Sequence, residues 1–293
     1  MTTLVRLTSI LASLDQHELL RRLLLISVVQ KIITNHKLFL NWSKTKFMII
    51  NNTKAGARHP VNIELENNLI EVVPEFKLLG CTIDDKLRFD KHVKNLKSAV
   101  CSKLFTIKNL FFLSFDIKVH FFKTFLLPHF DYCSSLFVYF SNTLLNKLYK
   151  LYNLCLYILL RLELNHLSIE AQQDILKPLN IMPFKYRLFY RFSLFSHKIL
   201  NKFFLLNISN LLKPVEKIVN TRNHCTNLFI TPLVLSHSGS KRISVVLTIM
   251  INKVLRNSTN LNIKDFITYL NLNLSTLFQQ FAKFILVENF TLL

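Results

Sequence analysis

The chain has 293 residues, 51% of them hydrophobic, enough for one large core or two modest ones. Three glycines argue against a glycine-rich nucleotide loop and against a turn-dense all-β fold. The 37 Lys and Arg against 17 Asp and Glu give a formal net charge of +20, a field that attracts nucleic acid or an anionic membrane surface. Leu, Phe, Asn, Lys and Ile dominate, a bias that A/T-rich coding DNA produces without help from function.

Leu7, Ile10, Leu11, Leu14, Leu19, Leu20, Leu23, Leu24 and Ile26 recur at three- and four-residue steps and predict a helix over residues 4–33. Arg6 precedes an apolar stretch, but Asp15, Glu18, Arg21 and Arg22 interrupt it too early for a secretory signal, so an intracellular chain is the default. Phe47-Met48-Ile49-Ile50 is a β-branched run and 51–60 a polar loop. Val61 to Leu65 alternates apolar and polar, Asn67-Asn68 suits a hairpin turn, and Leu69 to Val73 and Phe76 to Ile83 read as two more short strands of one small antiparallel sheet.

From Asp90 the period becomes helical. Val93, Leu96, Val100, Leu104, Ile107 and Phe111 fall within an arc of about 80° at about 100° per residue. Lys91, Lys94 and Lys108 lie outside that arc, and Lys97 and Lys103 border it. Asp116 suits an N-cap for a second helix that Pro128 would stop. Leu144 to Leu162 makes a third, and a further helix begins near Ser168 and ends before Pro178. The most apolar run, about Leu151 to Leu160 with Asn153 inside it, falls short of the ~20 residues of a spanning helix, and Pro128, His129 and Asp131 break the stretch from Thr124 to Leu145. The 26 phenylalanines fit the core by periodicity, and Phe121, Phe122, Phe125 and Phe130 read as packing rather than as base-stacking platforms.

Cys81, Cys101, Cys133, Cys155 and Cys225 are scattered singly, which fits reduced, mostly buried thiols. His129 with Cys133 and His224 with Cys225 are isolated pairs and do not make a four-ligand metal site.

Five segments occur in an order that has a parallel elsewhere. They are Leu38 to Ile50 with Asn41, Lys44 and Thr45; Phe76 to Asp84 followed by Leu87, Phe89 and His92; Pro128 to Cys133; Leu148 to Asn153; and Leu179 to Arg187, trailed by Phe195 to Asn201 and Thr221-Arg222. Over roughly residues 35–235 the chain resembles the reverse transcriptases of non-LTR retrotransposons, in the part that lies beyond the catalytic palm hairpin and leads into the thumb. Ile263 to Phe266 is a faint further echo.

The resemblance implies an α+β, mainly helical fold: a helical palm remnant at 1–33, the end of the palm with its small sheet at 34–90, a helical thumb-like domain at 91–175 and a helical C-terminal region at 176–293. The complete family enzyme is an RNA-directed DNA polymerase. Its chemistry needs carboxylates that hold a pair of Mg²⁺ ions, one on an early strand and others on a Tyr-x-Asp-Asp hairpin. No Tyr-x-Asp-Asp occurs in this sequence, and its opening Met1-Thr2-Thr3-Leu4 is similar to the residues just past those aspartates in the family. The expectation is a non-catalytic fragment with no catalytic residues and no cofactor, Mg²⁺ being expected only in a complete member. Asp84-Asp85 reads as a strand-to-helix turn, and His129 and Asp131 as capping or packing residues, not as catalytic groups.

Binding is the surviving expectation. Lys44 corresponds to a lysine near the incoming triphosphate in related palms, although Lys44 and Lys46 equally suit solvated strand ends. Lys91, Lys94, Lys97 and Lys103 are placed to meet phosphates of RNA or an RNA–DNA hybrid without reading sequence. Two alternatives remain open. One is a basic amphipathic helical protein acting at an anionic membrane surface or as a scaffold; the other is an incomplete gene model of an active reverse transcriptase.

Overall fold

A computed structural model describes residues 41–48, 50, 62–65, 68–108, 112–201, 212–214, 229–232 and 243–284. The helix expected over 4–33, the loop at 51–60, Asn67 of the expected turn, Phe111, and the Thr221-Arg222 and His224-Cys225 pairs lie outside the described residues. The chain divides into two compact units, residues 1–95 and 96–293. The architecture is α+β and mainly helical, with eight α-helices and a small amount of sheet among the described residues.

In the first unit, β1 (Lys46–Phe47), β2 (Asn62–Leu65) and β3 (Asn68–Val72) form a sheet of order β1-β3-β2. β2 and β3 pair antiparallel, while β1 pairs parallel to β3, Lys46 opposite Glu71. The parallel pairing results from the chain path, because β2 reverses direction once before β3 returns beside β1.

The run from Phe76 to Ile83 is not one strand. It is a separate hairpin, β4 (Glu75–Leu78) and β5 (Cys81–Asp84), with Phe76 opposite Ile83 and Leu78 opposite Cys81. The two loop residues, Leu79 and Gly80, both have positive φ, 46° and 88°. That is what a tight type I′ turn demands, and Gly80 meets it without a side-chain penalty. The small sheet is therefore in two pieces, one of which includes a parallel pair.

Helix α1 (Asp90–Lys108) buries Val93, Leu96, Val100, Leu104 and Ile107 on one side, as its period requires. In the second unit, α2 (Phe115–Phe121) is preceded by Ser114 rather than Asp116 at the N-cap, and Asp116 sits in the first turn. Pro128 does not stop this helix. The backbone widens into a π-helical segment, Phe122–Leu126, whose Leu127 N–H bonds to the Phe122 carbonyl, and continues as α3 (Leu127–Asp131) with Pro128 in its first turn. A proline lacks the N–H that an α-helix needs and crowds the carbonyl four residues back. Restarting the helix at the wide turn puts Pro128 where neither cost applies.

Helix α4 (Asn142–Leu160) begins with the Ser141 hydroxyl accepting from Leu144 N at 3.4 Å, and α5 (Ile169–Leu176) with the Ser168 hydroxyl accepting from Ala171 N at 3.2 Å. α6 (Phe184–Leu200) starts directly after Pro183. α7 (Ile243–Ile249) passes into a second π-helical segment, Met250–Val254, and α8 (Ile263–Phe284) closes the described chain. No described helix is long and apolar enough to cross a membrane.

The core of the second unit centres on Tyr152 of α4. Phe122 and Phe130 meet its ring edge-on at 5.6 and 5.2 Å, Phe184 lies at 5.5 Å, and the Tyr152 hydroxyl donates to the Met182 carbonyl at 2.6 Å. Burial pushes the Tyr152 phenol far above its ordinary range. Beside this cluster the Asp131 carboxylate receives Arg187 Nε at 2.7 Å and Nη2 at 2.6 Å, and Arg191 as well. Asp131 and Arg187 are both largely buried.

The bridge ties α3 to α6. Removing the charge of Asp131 strands two guanidinium groups, a loss of roughly 3–5 kcal/mol for a buried pair. Asp131→Asn is expected to lower the urea midpoint by a corresponding amount, and Asp131→Leu with Arg187→Leu to recover part of it. Equal midpoints for the wild type and Asp131→Asn would show that the bridge is dispensable.

Candidate nucleic-acid interface

Helix α1 is set in place by the turn before it. The Asp84 carboxylate accepts the backbone N–H groups of Lys86 (3.1 Å), Arg88 (2.9 Å) and Phe89 (2.6 Å). These bonds hold a tight path in which Leu87 and Phe89 take positive φ, 53° and 62°, and Phe89 is driven into the core. Asp84 is thus fully used as a backbone ligand. His92, in the first turn of α1, is buried and its Nδ1 accepts from Thr82 N at 3.4 Å. Asn95 donates to the Thr82 hydroxyl at 3.2 Å, and Lys91 pairs with Glu75 of β4.

Viewed along α1, Lys91, Lys94, Lys97 and Lys108 fall within about 120° of one another, in an arc that begins beside the buried stripe at Lys97 and ends opposite it at Lys91. Phe105 lies in the same arc and is 70% exposed. Lys94, Lys97 and Lys108 are solvent-exposed, and among the described residues none of the three has a carboxylate within ion-pair distance. The only acid on the helix is Asp90, in its first turn. Lys103 differs. It borders the buried stripe, is half-buried, and its Nζ donates to the Phe125 carbonyl at 3.3 Å within the wide π turn.

Lys44 belongs to another element, the 3₁₀ turn Trp42–Lys44, and is exposed. Asn41 caps that turn: its side-chain oxygen accepts from Lys44 N at 3.1 Å and its carbonyl from the Thr45 hydroxyl at 2.8 Å. Lys44 is therefore on a capped turn and not at a strand end, while Lys46 opens β1 and pairs with Glu71 at 2.6 Å. The five lysines singled out by sequence divide into three on the outward face of α1, one turned inward and one on this turn.

Among the described residues no three His, Cys, Asp or Glu side chains converge to hold a metal ion. Cys133 lies past the end of α3 with φ of 55°, so it does not share a helix face with His129. Burial pushes the Cys155 thiol up to about 12. Phe122 and Phe130 are core residues, whereas Phe121 and Phe125 stack on each other at 4.6 Å with Phe125 half out in solvent.

Sequence reasoning missed the Asp131–Arg187–Arg191 cluster and the Lys103–Phe125 bond. The signal for the first was an acid in an apolar segment and two arginines four apart in an aromatic helix. The chain matches no protein-family model, no curated protein and no solved structure.

Three histidines make the fold acid-sensitive. Burial lowers the pKa of His92, His129 and His197, with the nearby Lys103 charge adding to the effect at His129 and the Leu261 carbonyl opposing it at His197. Each binds its proton more weakly in the fold than in the unfolded chain, where histidine titrates near ~6.5. Their contribution is complete above that pH and is lost as pH falls below it. The urea midpoint is expected to hold from pH 8 to 7 and to drop between pH 6.5 and 5.5. His92→Asn, which keeps an acceptor for Thr82 N, is expected to flatten part of that drop. A wild-type midpoint that is constant down to pH 5.5 would contradict the assignment.

Proposed function

We propose that this chain corresponds to the post-palm segment of a non-LTR retrotransposon reverse transcriptase, does not polymerise on its own, and binds the backbone of RNA or an RNA–DNA hybrid non-specifically through the outward face of α1. The observation that carries the binding is the acid-poor, exposed set of Lys94, Lys97 and Lys108 outside the buried stripe. Lys94 and Lys97, three residues apart, are spaced about 4.5 Å along the helix axis, and Lys108 lies about 16 Å further on. The shorter spacing is comparable to the ~3.4 Å axial interval between phosphates of one strand, and long flexible stems absorb the difference. Lysine contacts of this kind give affinity and salt dependence but carry no base information.

The family origin rests on the order of the resembling segments in the sequence, and several of those segments also pack on one another. Asp131 and Arg187 come from two of them and bond each other, Tyr152 from a third bonds the carbonyl of Met182, and Asn41 and Thr45 of another form one capped turn. Such mutual use is what a folded unit built from these segments requires.

Charge reversal at both Lys94 and Lys97 is expected to weaken binding to an RNA–DNA hybrid uniformly across sequences and to reduce the slope of log affinity against log salt by roughly 2. Fluorescence anisotropy on a labelled hybrid at several salt concentrations measures both. An unchanged slope would remove the α1 reading, and nucleotide incorporation by the purified protein would overturn the non-catalytic one.

A further inference from the structure

Phe105 is the one phenylalanine of α1, and it faces outward among the lysines. It lies about 20° round the helix from Lys94 and about 60° from Lys108. Along the axis, Lys97 precedes it by about 12 Å and Lys108 follows it by about 4.5 Å. A long helical side chain leans back over the preceding turn. For Phe105 that turn carries Cys101 and Ser102, with Ser98 one turn earlier, and all three side chains are small. No long neighbour covers the ring there, which accounts for its exposure.

Two observations separate Phe105 from the other aromatic residues named above. The first is packing. Phe122 and Phe130 are buried, and Phe125, though half out in solvent, stacks on Phe121. Phe105 stacks on no described ring. The second is charge. Lys94, Lys97 and Lys108 share its face, and among the described residues none of them has a carboxylate within ion-pair distance. The face thus combines a bare aromatic surface with cations on both sides of it along the axis. A single nucleic-acid strand matches both features, because its unpaired bases are free to stack on an aromatic side chain while its phosphates meet lysines. In a duplex the bases are already stacked on one another, and the phosphates alone remain for α1. A membrane surface fits less well. An interfacial helix buries a broad apolar face in lipid, whereas the apolar stripe of α1 is already buried in the protein and leaves one ring outside. A second copy of the chain would set like charges against each other.

We propose that α1 takes an unpaired stretch of strand, either single-stranded RNA or the overhang of an RNA–DNA hybrid, with the Phe105 ring stacked on a base. Lys94, Lys97 and Lys108 neutralise phosphates on either side of that base. Stacking tolerates every base, so the contact adds affinity without sequence preference. The inference rests on the reading of α1 as a backbone-binding face and adds the kind of strand bound.

Fluorescence anisotropy of the full chain tests it with three labelled probes: an RNA single strand, the same strand bearing abasic sites, and a blunt RNA–DNA hybrid. The wild type is expected to bind the intact single strand about tenfold more tightly than the abasic one. Phe105→Ala is expected to remove that advantage, to leave the abasic strand and the blunt hybrid unaffected, and to leave the salt slope unchanged. Phe105→Trp is expected to restore the advantage. Its emission, measured over that of Trp42, the one native tryptophan, is expected to be quenched by the intact strand and not by the abasic one. Lys94→Glu with Lys97→Glu is expected to lower the salt slope on all three probes. The proposal is overturned if Phe105→Ala, with far-ultraviolet circular dichroism matching the wild type, binds the intact strand as the wild type does. A lowered slope in the lysine variant would then leave the backbone reading standing, whereas an unchanged slope removes both. Flotation with anionic vesicles that depends on Phe105, without Phe105-dependent binding of the single strand, assigns the ring to a membrane and also overturns it.

Discussion

The Asp131 carboxylate constrains more of the second unit than any other single group. It is largely buried, and two guanidinium groups from α6 converge on it. A buried carboxylate needs close, well-directed partners, so α3 must end where Asp131 faces α6. The π-helical segment before α3 makes this compatible with the aromatic core. In an unbroken α-helix, Phe122 and Phe130 would be turned about 80° apart; one inserted residue brings them to within about 20°. Both rings then meet the edge of Tyr152 at nearly the same distance and at interplanar angles of 80° and 81°. The wide turn serves three ends at once: it accommodates Pro128, aligns two aromatic contacts and delivers Asp131.

Helix α6 can serve both sides of the unit because its residues divide by face. Phe184, Arg187 and Arg191 lie within about 60° of one another and address Phe130, Tyr152 and Asp131. Tyr186 and Phe189 point the opposite way and pack on Phe278 of α8 at 5.0 and 5.7 Å. A helix this aromatic would read as buried all round. Arg187, largely buried, is compensated by the acid on α3, while Arg191 shares that acid and keeps contact with solvent, so the ion bridge and the aromatic packing are one arrangement.

What the sequence disclosed depended on whether a signal was local. The buried stripe of α1 from Val93 to Ile107 and the helices read over Leu144 to Leu162 and from near Ser168 are local signals, and each is present in the structure, as is the mainly helical α+β class that the resemblance implied. The hairpin inside Phe76 to Ile83 was hidden because Leu79, at its tip, is an apolar residue in a turn and 84% exposed. Gly80 was its only local mark. Pro128 misled for a different reason: a proline reports that an α-helical hydrogen bond is missing, and nothing nearby says whether the chain stops or widens. The partnership of Asp131 with Arg187 spans 56 residues and no periodicity carries it.

The lysines show how far composition can be taken. A bias toward A/T-rich codons would be enough to make lysine abundant wherever solvent permits. It does not explain why the first turn of α1 is held so firmly. The turn from Asp84 is fixed by three backbone bonds, and His92 and Asn95 both bond Thr82. Lys91 is drawn to Glu75 and Lys103 to the Phe125 carbonyl, so the two lysines at the margins of the face are engaged within the protein. Lys94 and Lys97 sit between them on a helix whose orientation is already determined. Charges on a pre-set rigid helix avoid much of the ordering cost that a mobile basic tail would bear on meeting a polyanion. On this helix the position of the charge, more than its amount, is what favours a binding role.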